Sequence, residues 1–205
     1  TARMSAKRLP GKPLLEINGL SIISHVFKRA EKSNIGEVIV AAEDQEIVDD
    51  VKNNGGNAIL TGNKHKTGTD RIFEAYKKIS KKFNCKYIIN LQGDEPFIDP
   101  RDIDNLAMLA SNKVSNMTTL FSSLKDKELN DESVVKLWLN TEGRVEEFSR
   151  SVDSRNSINA KKHIGLYCYR AHFLRTFVKW KQTSNEIERS LEQMRAMDNG
   201  EAIYA

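Results

Sequence analysis

Three short, nearly unbroken apolar runs constrain this chain more than any other feature. They are EVIVAA (37–42), NAILT (57–61) and KYIINLQGDEP (86–96), the last ending in a polar turn. Runs of this length without alternation fit strands buried on both faces. Segments with helical spacing separate them. In 21–34 the apolar positions are Ile22, Ile23, Val26, Phe27 and Ala30. The segment 45–56 reads as a helix stopped by glycine, 67–83 as a helix entered through Thr-Gly-Thr-Asp, and 100–111 as another helix. Strands alternating with helices require crossover connections. The expectation is an α/β fold with a mostly parallel central sheet, covered on both faces.

The second half changes character. Residues 116–124 alternate loosely, and 134–150 reads as two strands around Asn-Thr-Glu-Gly, a hairpin signal. Residues 164–170 form a further strand and 171–180 a short helix. The segment 183–200 reads as one helix, with Thr183 and Glu186 spaced as a capping box, Ile187, Leu191 and Met194 as its core stripe, and Gly200 as its stop. The whole reads as a single domain, 1–205, carrying a β-rich subregion over 116–170. Trp138, on an alternating strand of the hairpin, suits a dimer surface and a monomer core equally.

Composition narrows the function classes. Of 205 residues, 39% are hydrophobic and 29% charged, as in a soluble globular protein. The net charge of +4 is dispersed, with no aromatic-interleaved basic stripe, so nucleic acid is not favoured and anionic small molecules fit equally well. Cys85 and Cys168 lie outside any Cys-x-x-Cys and read as reduced thiols of a cytoplasmic protein. No apolar run approaches about 18 residues, so no membrane span is expected, and no signal peptide is visible.

In an open α/β sheet, ligands gather at the carboxyl ends of the strands. Three segments fall there. The opening stretch, TARMSAKRLPGKPLLE (1–16), sets Arg3, Lys7, Arg8 and Lys12 around a Leu-Pro-Gly turn. It lacks the Gly-x-x-x-x-Gly-Lys-Ser/Thr of a P-loop, so phosphates would be held by side-chain cations: guanidinium forks on Arg3 and Arg8 and a point charge on Lys12. A solvated basic terminus would look the same. HKTGTDR (65–71) offers Thr67 and Thr69 hydroxyls beside Gly68 at a helix N-terminus, which suits either an anion or ordinary capping. In LQGDEPFI (91–98), Asp94 is either a solvated turn carboxylate or a single ligand for Mg²⁺ bridged to substrate phosphates.

Together these residues carry a resemblance. ARMSAKRLPGKPLLEING, HKTGTDR, NLQGDEP, EEFSR, HIGLYCYR and LEQMRAMDNG occur in order along almost the whole chain. The set resembles the 3-deoxy-manno-octulosonate (Kdo) cytidylyltransferases, or CMP-Kdo synthetases. The resemblance implies a Rossmann-like nucleotidyltransferase fold and transfer of CMP from CTP to Kdo with release of pyrophosphate, for lipopolysaccharide or capsule synthesis. It further implies Mg²⁺, a cytoplasmic location and a homodimer. By this likeness Arg3, Ser5, Arg8, Lys12, Thr67, Arg71 and Gln92 bind the nucleotide, Lys12 and Asp94 are catalytic, and Asp94 holds the metal. Arg150, His163, Tyr167, Glu192 and Gln193 fall at positions around the acid sugar. It also implies a strand ahead of Thr1 and a segment after Ala205 bearing a second metal-ligating aspartate. The rival readings are specificity for amino-Kdo or sialate, and a non-catalytic nucleotide- or sugar-binding relative.

Overall fold

The computed structural model describes residues 1–4, 9–81, 85–152 and 158–205. They form two compact units, Thr1–Ala107 and Met108–Ala205.

In the first unit a short 3₁₀ turn (Lys12–Leu14) leads into a small antiparallel ribbon of β1 (Glu16–Ile17) and β2 (Leu20–Ser21). Next comes α1 (Ile22–Glu31), whose N-terminus is capped by Ser21, its Oγ accepting the Ser24 N–H. The apolar stripe of α1 is buried as its spacing requires. β3 (Val40–Ala42), α2 (Gln45–Asn53) and β4 (Ala58–Leu60) follow, and β3 pairs parallel with β4. α2 ends on Gly55, which takes the left-handed φ of 85°. α3 (Gly68–Ile79) opens on a complete capping box between Thr67 and Asp70. β5 (Tyr87–Asn90) and α4 (Pro100–Asn112) close the series.

The N-terminal residues enter the parallel layer. Ala2 bridges Ala42 in parallel, and its N–H donates to Ala41 O. The Thr1 nitrogen donates to Leu91 O at 2.9 Å, and the Gly93 N–H donates to Thr1 O at 2.9 Å. Ala2 is therefore part of the core with Ile23, Phe27, Val40, Ile47, Val48 and Val51. Below this seam an apolar cavity of about 400 Å³ lies among Val40, Tyr87, Ile89, Ile23 and Ile72.

The second unit is built on β6 (Met117–Ser123), α5 (Asp126–Leu129), β7 (Lys136–Leu139), β8 (Val145–Ser149) and β9 (Lys161–Arg170). After these come α6 (Ala171–Phe177), α7 (Ser184–Arg189), α8 (Met194–Asp198) and β10 (Ile203–Tyr204). The strand order is β10-β6-β9-β7-β8. Only β10–β6 is parallel in that path, so this sheet is mixed and mostly antiparallel. The β7–β8 hairpin turns where Asn-Thr-Glu-Gly sits. Asn140 Oδ1 accepts the N–H groups of Glu142 and Arg144, and Gly143 takes φ 80°.

The expected single helix over 183–200 is two helices. Its cap is present, Thr183 with Glu186, but Ser190 adopts φ 53° and ends α7. The Leu191 N–H then returns to Glu186 O. Ile187, expected in the core, is 63% exposed. Glu186 and Arg195 take its place, forming an ion pair in which both side chains are 4% exposed. Arg195 Nε and Nη2 reach the two Glu186 oxygens at 2.7 and 2.5 Å, and the guanidinium lies over the Phe177 ring. Leu191 and Met194 are buried as the stripe requires, but a charged pair stands where Ile187 was expected, and helical spacing cannot report it. Breaking such a pair leaves a buried Arg195 relying on the longer Glu192 contact, 3.6 Å from its Nη2. Glu186→Gln should lower the unfolding free energy by about 3–5 kcal/mol, measured by urea denaturation, whereas the apolar double variant Glu186→Leu/Arg195→Met should cost much less.

Candidate active site

The three segments singled out in the first unit converge. A cavity of about 220 Å³ is lined by Arg3 and Lys12 from the opening loop, His65, Lys66, Thr67, Gly68 and Arg71 around the start of α3, and Gln92, Gly93 and Asp94 after β5. Its walls come close because two positions lack side chains. A Cβ on Gly93 would stand 2.4 Å from Thr1 O, and one on Gly68 would stand 3.0 Å from Thr1 Oγ1.

Lys12 and Asp94 meet in this cavity, Nζ to Oδ2 at 2.9 Å. Both are partly exposed, so the pair adds little stability and is free to exchange partners. The ammonium marks Asp94 as a carboxylate able to hold a cation. Among the described residues no group of three or more His, Cys, Asp or Glu could enclose a metal. A single carboxylate suits Mg²⁺ that takes its other ligands from phosphate and water.

The other polar residues have defined duties. Thr67 Oγ1 accepts the Asp70 N–H in the capping box. Arg71 is 3% exposed; it donates to Thr61 Oγ1 and Gly62 O and pairs with Glu43. Gln92 Nε2 donates to Asn90 Oδ1 at 3.2 Å. Glu74, on α3, fixes the loop that carries His65 and Lys66. Its carboxylate accepts the Gly62 N–H, meets His65 Nε2 and pairs with Lys78. The Lys78 hydrogen bond, followed against the cost of burial by those from His65 and Gly62, holds its pKa at about 2.

A second polar cluster lies in the second unit. The Arg150 guanidinium donates to three backbone carbonyls, Glu132 O, Arg189 O and Ser190 O, at 3.1–3.4 Å. The buried ammonium of Lys136 holds the Arg150 carbonyl at 2.8 Å. On β9, His163 stacks edge-on against Phe148 and lies beside Tyr167. Its Nε2 is 3.0 Å from Thr119 Oγ1. That hydroxyl has one hydrogen and faces two carbonyls, Leu166 O at 2.8 Å and Ile164 O at 3.2 Å. The one hydroxyl hydrogen can go to a carbonyl, with His163 Nε2–H donating to Oγ1, or to an unprotonated Nε2, so the direction of the His163–Thr119 bond follows the ring tautomer. Burial lowers the His163 pKa to about 4, so the ring is neutral at pH 7. Burial, then Tyr169 and Glu192, raises the Tyr167 phenol well above its ordinary value. Glu192 and Gln193 lie in the break between α7 and α8. Gln193 is 5% exposed, and its Nε2 has no hydrogen-bond partner among the described residues.

Residues 1–203 match the cytidylyltransferase family profile. The chain belongs to the cytidylyltransferase family. Among its relatives is the 3-deoxy-manno-octulosonate cytidylyltransferase of Idiomarina loihiensis, 37% identical over 99% of this chain and 86% of that one. The 3-deoxy-manno-octulosonate cytidylyltransferase 2 of Actinobacillus pleuropneumoniae is 38% identical with the same coverage. A solved structure of CMP:2-keto-3-deoxy-manno-octonic acid synthetase complexed with CTP superimposes with a TM-score of 0.92 at 38% identity, covering 99% of this chain and 85% of that one. The Rossmann-like nucleotidyltransferase fold expected from the sequence is thereby shown.

Of the residues expected in a nucleotide site, this cytidylyltransferase brings Arg3, Lys12, Thr67, Arg71, Gln92 and Asp94 to one cavity. Ser5 and Arg8 lie outside the described residues. Arg150, His163, Tyr167, Glu192 and Gln193 belong to the second unit. Their spacing on one helix flanking a core stripe, expected for Glu192 and Gln193, is replaced by the interhelical break. Sequence reading passed over His65, Lys66 and Gly93 as lining residues. Gly93 had a signal, since a glycine between Gln92 and Asp94 at a strand end admits close backbone approach. Glu74 had none, because a mid-helix glutamate reads as a solvated face.

Glu74 has a pH consequence. Its folded-state pKa lies below the unfolded value of 4.5. The stability it contributes is therefore complete above about pH 4.5 and is lost as pH falls toward 2. Unfolding free energies of wild type and Glu74→Gln, compared from pH 6 to 2.5, should differ most at the upper end and converge at the lower.

Proposed function

We propose that this chain activates Kdo with CTP, giving CMP-Kdo and pyrophosphate, for lipopolysaccharide synthesis. The observation that carries the reading is the single cavity in which Arg3 and Lys12 stand opposite Asp94 at the carboxyl ends of the strands. Relatives bearing the Kdo cytidylyltransferase name, matched over nearly the whole chain, support it.

In the reaction the anomeric hydroxyl oxygen of Kdo bonds to the α-phosphorus of CTP, and the bond from that phosphorus to the β-phosphate bridging oxygen breaks. The hydroxyl proton passes to water. Arg3 and Lys12 grip the triphosphate and offset the charge that grows on its oxygens. Lys12 reaches phosphate by releasing Asp94, and that carboxylate is then available to Mg²⁺. Asp94 would hold Mg²⁺, which would supply Lewis-acid neutralisation of the leaving pyrophosphate. The loop held by Glu74 and the start of α3 orient the nucleoside, so positioning carries much of the rate.

The second unit suits an acid sugar. Arg150 spends three of its five N–H groups on carbonyls and keeps the others for a carboxylate. The neutral His163 imidazole and the protonated Tyr167 phenol offer polar groups to sugar hydroxyls. The buried Gln193 amide, without a partner among the described residues, calls for a ligand oxygen. Two free cysteines fit a reducing cytoplasm, and no helix among the described residues is long and apolar enough to cross a membrane. Half-buried Trp138 on the β7–β8 hairpin is consistent with a homodimer surface.

Pyrophosphate release with CTP, Kdo and Mg²⁺ is the expected outcome; CTP binding without release would contradict the assignment. Asp94→Ala should lower turnover by about 100-fold or more. Gln193→Ala should raise KM for Kdo about tenfold and leave KM for CTP unchanged, in steady-state assays with either substrate varied.

A further inference from the structure

Asp44 occupies the N-cap of α2, a position where aspartate ordinarily accepts an amide N–H from the first turn. Here its side chain makes no capping bond. Its Oδ2 instead accepts the N–H of Met4 at 2.8 Å. The geometry around Met4 explains the diversion. The chain runs parallel beside β3, with Ala2 next to Ala42 and its N–H on Ala41 O. A regular parallel ladder would continue with the Met4 N–H on a β3-side carbonyl. The carboxylate takes that hydrogen instead and ends the ladder. The Met4 carbonyl then accepts the Gly11 N–H at 3.0 Å, with Gly11 at φ 74°. The Met4 peptide is thus held from both sides. Arg3 immediately precedes this pinch and Lys12 immediately follows it, and both line the cavity. Asp44 does not line it.

A carboxylate beside a phosphate-gripping loop opposes its charge, and it forgoes helix capping as well. A role at the loop accounts for both. We infer that Asp44 is a positioning residue, anchoring Met4 so that Arg3 and Lys12 are presented together to the nucleotide phosphates. The inference rests on the reading of this cavity as a triphosphate site. The acceptor atom matters more than the charge, so an amide can replace it. Phosphate recognition depends on the pinch, whereas recognition of the nucleoside by the start of α3 does not.

The test is calorimetric titration of the full chain with CTP and with cytidine, for wild type, Asp44→Ala and Asp44→Asn. Asp44→Ala should weaken CTP about tenfold and leave cytidine within about twofold, and Asp44→Asn should restore most of the CTP affinity. Equal losses for CTP and cytidine would reduce Asp44 to a structural residue. Unchanged CTP affinity in Asp44→Ala, or an Asp44→Asn as weak as Asp44→Ala, would overturn the inference while leaving the nucleotide reading intact. No CTP binding by wild type would overturn both. Should Asp44→Ala fail to fold, Asp44→Asn decides alone: near wild-type CTP affinity supports the anchor, and its loss refutes it.

Discussion

The first unit is organised by a backbone seam. Thr1 and Ala2 are hydrogen-bonded on one side to Ala41 and on the other to Leu91 and Gly93. These bonds bring the opening loop to the ends of β3 and β5 and require glycine at position 93, where a Cβ would overlap Thr1 O. Every cavity wall is referenced to this seam. The opening loop leaves it at Met4, the Asp94 turn leaves it at Gly93, and the start of α3 approaches it at Gly68.

What the seam holds together is mainly charge. P-loop proteins surround phosphate with backbone amides from a glycine-rich nest. The cavity here is lined by guanidinium and ammonium groups on a loop stiffened by Pro10 and Pro13. Side-chain cations lose more freedom on ordering than amides do, so such a loop depends on anchors. Asp44 on Met4, Gly11 on Met4 and Glu74 on Gly62 act at the backbone rather than on the ligand. Lys12 rests on Asp94, so these two charges are partnered before any ligand arrives.

Much of the fold was legible in the sequence, for identifiable reasons. The unbroken apolar run at β3 is a fully buried parallel strand, whereas β4 and β5 are largely half-buried and Leu60 is exposed; the capping boxes at Thr67 and Thr183 are local patterns that local structure obeyed. The convergence of the opening loop, HKTGTDR and QGDEP followed from topology. Illegible features depended on partners distant in sequence. Glu186 belongs in the core only because Arg195 meets it there, and Ser190 breaks the helix that the Leu191–Met194 spacing suggested. Arg150 reads as a free cation until its carbonyl partners at 132, 189 and 190 are known. Nothing in the sequence around Asp44 reports that its carboxylate reaches Met4, forty residues away.

In the proposed reaction Arg3 and Lys12 grip the phosphates as Lys12 exchanges Asp94 for nucleotide. A crystal structure of this chain with CTP and Mg²⁺ tests it most directly. The triphosphate should lie between Arg3 and Lys12, with Lys12 Nζ on a phosphate oxygen and Asp94 on the metal. A nucleotide bound with the Lys12–Asp94 contact intact, or held outside this cavity, would contradict it.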